Sequence, residues 1–272
     1  MQRRRRRWLQ ALRRWPGVTG DGPAFVGLAD NLRAGRVWAA TLGGSAVLIG
    51  MAGATHSAAV GYGYGFAVFS ALSWPLLPRV LHRLIWTELR LLQGLLLLLA
   101  SVGLGSLGDA LLGLNPQAGG LERMSWPLAA KLLWEFPLLL PVENLMLLGI
   151  LVALWNSVQP RRWVDRLAVA MMGSLFFGLW HVPFWGWGTM LVVGLSVVPW
   201  SLYILATGDM VAPVVAHLLM DSLALLAIAA PSGSLAHRYA MPAVVLGVVL
   251  LGTGQSLWRD VHYRSVAPRP PV

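Results

Sequence analysis

Four ionisable side chains set in apolar surroundings are the residues of this sequence best suited to chemistry. They are Glu143, His181, His217 and Asp221, and each lies in a run dominated by apolar residues. An ionisable side chain inside a membrane is costly and by default marks a functional site. A carboxylate near two imidazoles can act as a general base, while the imidazoles position the water, stabilise an oxyanion or hold a metal. We therefore predict that Glu143 takes a proton from a water that attacks a peptide carbonyl.

The spacing of the two His residues places a partner one helical turn from each. Phe177 precedes His181 by four residues, and Asp221 follows His217 by four residues. Residues four apart share one face of an α-helix. A carboxylate beside an imidazole can fix its tautomer, so we expect Asp221 to lie behind His217 and orient it. The sequence leaves open whether His181 and His217 hold a divalent metal such as zinc or serve a metal-free water.

The composition is that of a polytopic membrane protein. Of the 272 residues, 57% are hydrophobic and 12% are charged, and the mean hydropathy is +0.64. Apolar runs of about 20 residues, enough to cross the hydrocarbon core, recur along the chain. The absence of Cys excludes disulfides, thiolate metal ligands and cysteine nucleophiles.

The apolar runs predict an all-α bundle of eight transmembrane helices. We place these runs at residues 37–56, 62–81, 91–111, 126–155, 167–185, 190–207, 211–230 and 240–258. The predicted organisation is a basic segment at 1–36, a membrane domain at 37–258 with its chemical core at 126–230, and a tail at 259–272. Pro137 and Pro141 predict a kink in the fourth run. The Gly-rich segment 61–65 has GxxxG spacing, which can bring helices close, but we expect a turn there.

The basic residues predict which side of the membrane each loop faces. With the N-terminus in the cytosol, 18 of the 21 Lys and Arg residues fall on the cytosolic side, and only Arg123, Lys131 and Arg238 do not. Because cytosolic loops are enriched in Lys and Arg, we predict that both termini are cytosolic. The Arg-rich start is then an anchor at the membrane surface, and no nucleic-acid partner is expected.

Residue counts along the runs place the site within reach of the inner half of the bilayer. The composition suggests a bacterial inner membrane.

Two of the spaced pairs resemble motifs of a known protease family. Phe177-Gly-Leu-Trp-His181 matches FxxxH, and His217-Leu-Leu-Met-Asp221 matches Hxxx(N/D). These are the second and third motifs of the CPBP family, intramembrane proteases that include the CAAX prenyl endopeptidase. The resemblance covers residues 126–230. It implies an eight-helix bundle, a membrane-anchored protein or peptide substrate, and one centre that contains both His residues and a Glu that activates water.

The first motif of that family, EExxxR, is altered in this sequence. Glu143 keeps the first Glu, but Asn144 stands at the second and Leu148 at the Arg. One carboxylate and the Arg are thus absent together, which keeps the local charge balanced. Asn144, at the second position of this motif, and Phe177, the first residue of FxxxH, are expected to support the site together with Asp221.

Three alternatives to an active protease remain open at this point. The altered motif would suit a catalytically silent relative that acts as a membrane scaffold, and the four ionisable residues would suit a proton-coupled transporter. Buried polar residues can also be simple contacts between helices. Other intramembrane protease classes fit less well, since HExxH is absent and Asp109 and Asp209 are predicted at opposite membrane faces. Trp residues near the end of the fifth run are expected to form an interfacial belt, namely Trp180, Trp185 and Trp187.

Overall fold

The computed structural model describes residues 25–113, 116–117 and 124–229. Within these ranges every regular element is a helix, which confirms the predicted all-α fold. The helices are α1 (Val26–Ala29), α2 (Ala34–Thr55), α3 (Ala58–Leu72), α4 (Leu76–Leu81), α5 (Glu88–Leu112), α6 (Trp126–Val158), α7 (Trp163–Trp180), α8 (Val182–Trp185), α9 (Gly188–Ser196), α10 (Val198–Thr207) and α11 (Val211–Ala229). The predicted eighth run, the Arg-rich start and the tail lie outside the described residues.

The helices are those of an integral membrane protein. Three of them, α2, α5 and α6, are each long and apolar enough to cross a membrane. The pair α9 and α10, bent by 42°, adds a fourth if it is counted as one span. Among the described helices, α3 and α11 are apolar but shorter. The count of eight spans and the domain boundaries stay predictions.

Prolines explain why three predicted runs are divided into two helices each. Pro75 separates α3 from α4, Pro183 lies in α8, and Pro199 lies in the first turn of α10. A proline disfavours helical conformation in the residue before it, so a helix tends to end there. The same rule fails in α6, where Pro137 and Pro141 lie inside one helix of 33 residues. That helix forms the centre of the bundle, and most of its second half is buried.

Glycines allow α2 and α3 to pack against each other at very short range. A Cβ added at Gly61 would lie 2.6 Å from the Ala52 Cβ, and one added at Gly65 would lie 2.7 Å from the Leu48 Cβ. The expected turn at residues 61–65 is therefore wrong, because the segment is helical and its GxxxG spacing makes a helix contact. This contact fixes the position of Tyr62, which follows Gly61.

Gly61→Ala is expected to lower the melting temperature of the purified protein by several degrees. The added methyl group has no room between the two helices, and overpacking of this kind costs about 1–3 kcal/mol. Thermal unfolding in detergent measures the effect. Gly63→Ala is the matched control, because a Cβ at Gly63 meets nothing within 4 Å. Equal melting temperatures for the two variants would contradict the close approach of α2 and α3.

One end of the bundle carries most of the described Arg residues, and we call it the basic end. It comprises the starts of α2, α5, α7 and α11, the ends of α3 and α6, and α4 with the turn that follows it. Arg36, at the start of α2, donates from Nε to the carbonyl oxygen of Leu72, at the end of α3, over 2.7 Å. Arg90, at the start of α5, forms an ion pair of 3.3 Å with the buried Asp209, just before α11.

The same end joins α6 to its neighbours. Asn156, near the end of α6, donates to the carbonyl oxygens of Ala29 and Leu32 over 2.9 and 2.8 Å. The guanidinium of Arg166, in α7, lies 5.8 Å from the centre of the Trp155 ring, a cation–π contact. These contacts set the relative heights of the helices that carry the predicted site residues.

Candidate active site

Glu143 lies at the centre of the site. It is 6% exposed and projects from the middle of α6. Its Oε2 lies 3.6 Å from Nε2 of His181 and 3.6 Å from Nε2 of His217. Residues that are 38 and 74 positions away in the sequence thus meet at one carboxylate oxygen. The structure brings together all three residues that the sequence nominated for catalysis.

Asn144 holds the other nitrogen of His217. The Asn144 Nδ2 lies 2.9 Å from the carbonyl oxygen of Leu140 and 2.9 Å from Nδ1 of His217. A carbonyl oxygen can only accept a hydrogen bond, so the group that faces both partners is the amide nitrogen, and Nδ1 accepts from it. His217 is therefore a neutral ring with its proton on Nε2, directed toward Glu143.

Asp221 does not lie behind His217 as we expected. Its Oδ2 is 3.4 Å from Nε2, the same nitrogen that faces Glu143. The position behind the ring is taken by Asn144, because the buried α6 lies on that side of α11. Asp221 is instead on the open side of the site, where its side chain is 33% exposed.

His181 is oriented by its own helix. Its Nδ1 lies 2.8 Å from the carbonyl oxygen of Phe177, one turn earlier, so Nδ1 carries a proton. In the neutral ring Nε2 then has a free lone pair facing Glu143. Phe177 is buried, and its ring lies 4.8 Å from that of His181 and 6.4 Å from that of His217. The two imidazoles thus offer opposite functions, an acceptor on His181 and a donor on His217.

Sequence reasoning missed Tyr62. Its hydroxyl donates a hydrogen bond to Oε1 of Glu143, the carboxylate oxygen that neither His ring faces. This contact reaches the site from α3, well before the first motif. The sequence does place this Tyr inside a GxxxG segment. A Tyr hydroxyl that is buried in a close helix contact needs a hydrogen-bond partner, and this could have pointed to Tyr62.

Tyr62→Phe is expected to reduce cleavage of any substrate about tenfold or more. The variant removes the hydroxyl that holds the Glu143 carboxylate, and hydrogen bonds to charged groups contribute about 1.5–3 kcal/mol. Initial rates of a reconstituted cleavage reaction measure the change. Tyr64→Phe is the matched control, since Tyr64 lies two residues along α3 and is 55% exposed. A similar loss in both variants would argue against a specific role for the Tyr62 hydroxyl.

Two cavities meet at this site. The larger, of about 370 Å³, contains Glu143, His181, Asp221 and Tyr62 beside a mainly apolar wall that includes Leu132, Phe136, Leu139, Trp180, Phe184 and Trp185. The second, of about 270 Å³, contains both His rings and Asp221 with several Ser side chains. One of these, Ser101, has a buried hydroxyl without a protein partner. Such a group normally binds water. The larger cavity can therefore hold an apolar chain on one side of the site, while the second cavity holds water on the other side.

The predicted belt of Trp residues is wrong for two of its three members. Trp180 packs edge-on against His181, with ring centres 5.2 Å apart, and it lines the larger cavity with Trp185. Trp187 is 74% exposed, as an interfacial residue would be. The helix breaks after Trp180, and the short α8 that follows contributes Phe184 and Trp185 to the cavity, which the sequence pattern did not indicate.

The positions of the site residues bear on whether they could hold a metal. Among the described residues, no group of three or more His, Cys, Asp or Glu side chains is arranged to hold a metal ion. The amide of Asn144 also occupies Nδ1 of His217, and Nε2 of that ring carries a proton, so neither nitrogen offers a lone pair as assigned. The metal-free alternative is therefore the one developed below.

Comparison with protein families matches residues 125–223 to the family described as Type II CAAX prenyl endopeptidase Rce1-like. The match confirms the resemblance that the motifs indicated and contains Glu143, His181, His217 and Asp221. The matched segment is thus similar to that family and covers 99 of the 272 residues. No curated protein and no solved structure matches the chain.

Proposed function

We propose, from the match of residues 125–223 to this protease family, that the protein hydrolyses a peptide bond of a membrane-anchored substrate with a water activated by Glu143. The observation that carries the proposal is the convergence of Glu143 Oε2 with Nε2 of both His rings at 3.6 Å. These separations exceed a direct hydrogen bond. A water can therefore be held between the carboxylate and the rings.

The assigned protons give each residue a role. Water donates to Glu143 Oε2 and to the lone pair of His181 Nε2, and its oxygen attacks the substrate carbonyl carbon as Glu143 accepts a proton. The Nε2–H of His217 then donates to the oxyanion. When the C–N bond breaks, Glu143 returns its proton to the leaving amine, so the products are a new carboxyl and a new amino terminus. Preorganised donors of this kind are usually the largest contributors to such catalysis.

The altered first motif does not remove any of these roles. Leu148, which stands where the family has Arg, is fully buried in the apolar core, and no charge is left there without a partner. Asn144, which stands at the second Glu, supplies the donor that sets the tautomer of His217. The site is thus internally consistent with one carboxylate base, which supports an active enzyme over a silent scaffold.

Oxygen-isotope labelling tests hydrolysis directly. The purified protein is reconstituted in liposomes with a membrane-anchored reporter, and the reaction is run in water enriched in oxygen-18. We expect a single cleavage with one labelled oxygen in the new carboxyl group, detected by mass spectrometry. Capture of the reporter without any labelled product, by the wild-type protein and by a variant lacking the Glu143 carboxylate alike, would identify a scaffold.

A further inference from the structure

The larger cavity of the site opens away from the basic end of the bundle. Its lining comes from the end of α2, the start of α3, the first half of α6, the end of α7 and the second half of α11. Every one of these helix portions lies opposite to the ends that carry the Arg contacts. Tyr62 is the fifth residue of α3, for example, and His181 directly follows the last residue of α7.

The charges of the two ends differ strongly. The basic end holds Arg residues at positions 33, 36, 79, 83, 90, 161, 162 and 166. On the cavity side, the described residues include one basic side chain, Lys131, which forms an ion pair of 3.8 Å with Glu135. Cytosolic ends of membrane helices are enriched in Lys and Arg, so the basic end is cytosolic. The cavity then faces the outer side of the membrane.

The site spans a range of depths: His217 is the seventh residue of α11, whose start lies at the basic end, whereas the cavity lies on the far side of the reacting groups. His181 lies at the end of α7 remote from the basic loop at 159–162. Trp187, exposed just beyond the cavity wall, is suited to the outer lipid–water interface. The reacting groups are thus buried in the bundle, but the way in from water and lipid is at the outer face.

We infer that the site takes its substrate from the outer side of the membrane: an apolar membrane anchor of an exported protein, cut near the anchor's outer end. This inference rests on the proposed hydrolysis and names its substrate class. The apolar wall, which includes Phe136, Leu139 and Phe184, suits a hydrophobic segment, while Glu143 and Asp221 face the same space. A cytosolic protein held by a lipid at the inner leaflet would meet the basic end, whereas the larger cavity beside Glu143 is lined by helix portions at the opposite end.

Thiol labelling tests which way the cavity faces, without requiring activity. The chain has no Cys, so single variants report cleanly. Ala58→Cys places a thiol in the cavity wall, and Ser157→Cys places one at the basic end, where Ser157 is exposed. With a membrane-impermeant maleimide, we expect Ala58→Cys to react in intact spheroplasts and Ser157→Cys only in inverted vesicles. The reverse pattern, or an Ala58→Cys thiol that reacts from neither side until the protein is denatured, would overturn the inference.

A pair of reporters separates this inference from the proposed hydrolysis. Both carry one apolar anchor, with the scissile segment placed at its outer end in one reporter and at its cytosolic end in the other. We expect cleavage of the first alone, with no cleavage of either by Glu143→Gln. Cleavage of only the cytosolic reporter would overturn the outward site and leave hydrolysis standing. Cleavage of neither reporter, with Ala58→Cys still labelled from outside, would overturn the hydrolysis and the substrate class but leave the cavity's direction in place.

Discussion

Glu143→Gln is expected to lower the cleavage rate by about 10²–10⁴, the usual contribution of a general base. Glutamine keeps the size of the side chain and an oxygen that can accept the hydrogen bond from Tyr62. It cannot accept a proton from water, so the chemical step is lost while the fold and substrate binding persist. Single-turnover rates in liposomes, with the melting temperature as a check on folding, measure the effect.

Glu135→Gln is the control for this experiment. Glu135 lies eight residues earlier in the same helix and pairs only with the exposed Lys131 among the contacts described. The Lys131 side chain is 58% exposed and that of Glu135 is 15% exposed. Ion pairs that reach the surface contribute little, about 0–1 kcal/mol, so this variant should cleave at nearly the wild-type rate. If Glu143→Gln retained full activity, the carboxylate would not be the base and the proposed mechanism would fail.

Asn144→Asp is expected to reduce cleavage about 100-fold or more, because a wrong His tautomer disables a catalytic site. Aspartate has the same shape but cannot donate to Nδ1 of His217 or to the Leu140 carbonyl. A neutral His217 would then move its proton to Nδ1 and turn a lone pair toward Glu143. A protonated His217 would instead hold Glu143 in an ion pair and compete with proton abstraction. Either form removes the arrangement on which the mechanism depends.

Nitrogen-15 chemical shifts of labelled His residues separate this effect from a loss of fold. The wild-type protein should show His217 as the tautomer with its proton on Nε2, and Asn144→Asp should show a different state. Asn156→Asp is the matched control. Asn156 is in the same helix and, like Asn144, donates two hydrogen bonds, but both of its partners are backbone carbonyls. It should lower stability without changing the His217 signal. An unchanged signal in Asn144→Asp would contradict the tautomer assignment.

The sequence predicted which residues meet at the site because an ionisable side chain in an apolar helix carries a high energetic cost. Glu143, His181 and His217 are ionisable residues in apolar helices, and such residues are rarely placed there without a function. Their motif spacing also fixed their helices and the faces that they share. The all-α fold followed from the apolar runs, which leave helices as the way to satisfy the backbone inside a membrane.

The sequence could not predict contacts between helices that no local pattern encodes. Tyr62 meets Glu143 across 81 positions of sequence, and that contact depends on how closely α2 and α3 pack. Asn144 was known to stand next to Glu143, but its role depends on which side of His217 faces α6. The breaks at Pro75 and Pro183 shortened helices that hydropathy alone had joined.

The contact from Tyr62 also means that the family segment is not a self-contained module. Residues 125–223 hold every recognised motif, yet the hydroxyl that holds Glu143 and part of the cavity wall, Leu48, Ala52 and Ala58, come from the preceding hairpin of α2 and α3. A truncated chain limited to the matched segment would keep the motifs and lose a wall of the pocket. Changes in this hairpin that keep Tyr62 would alter the shape of the cavity wall while leaving Glu143 and both His rings in place, so the shape of the pocket can diverge independently of the motifs.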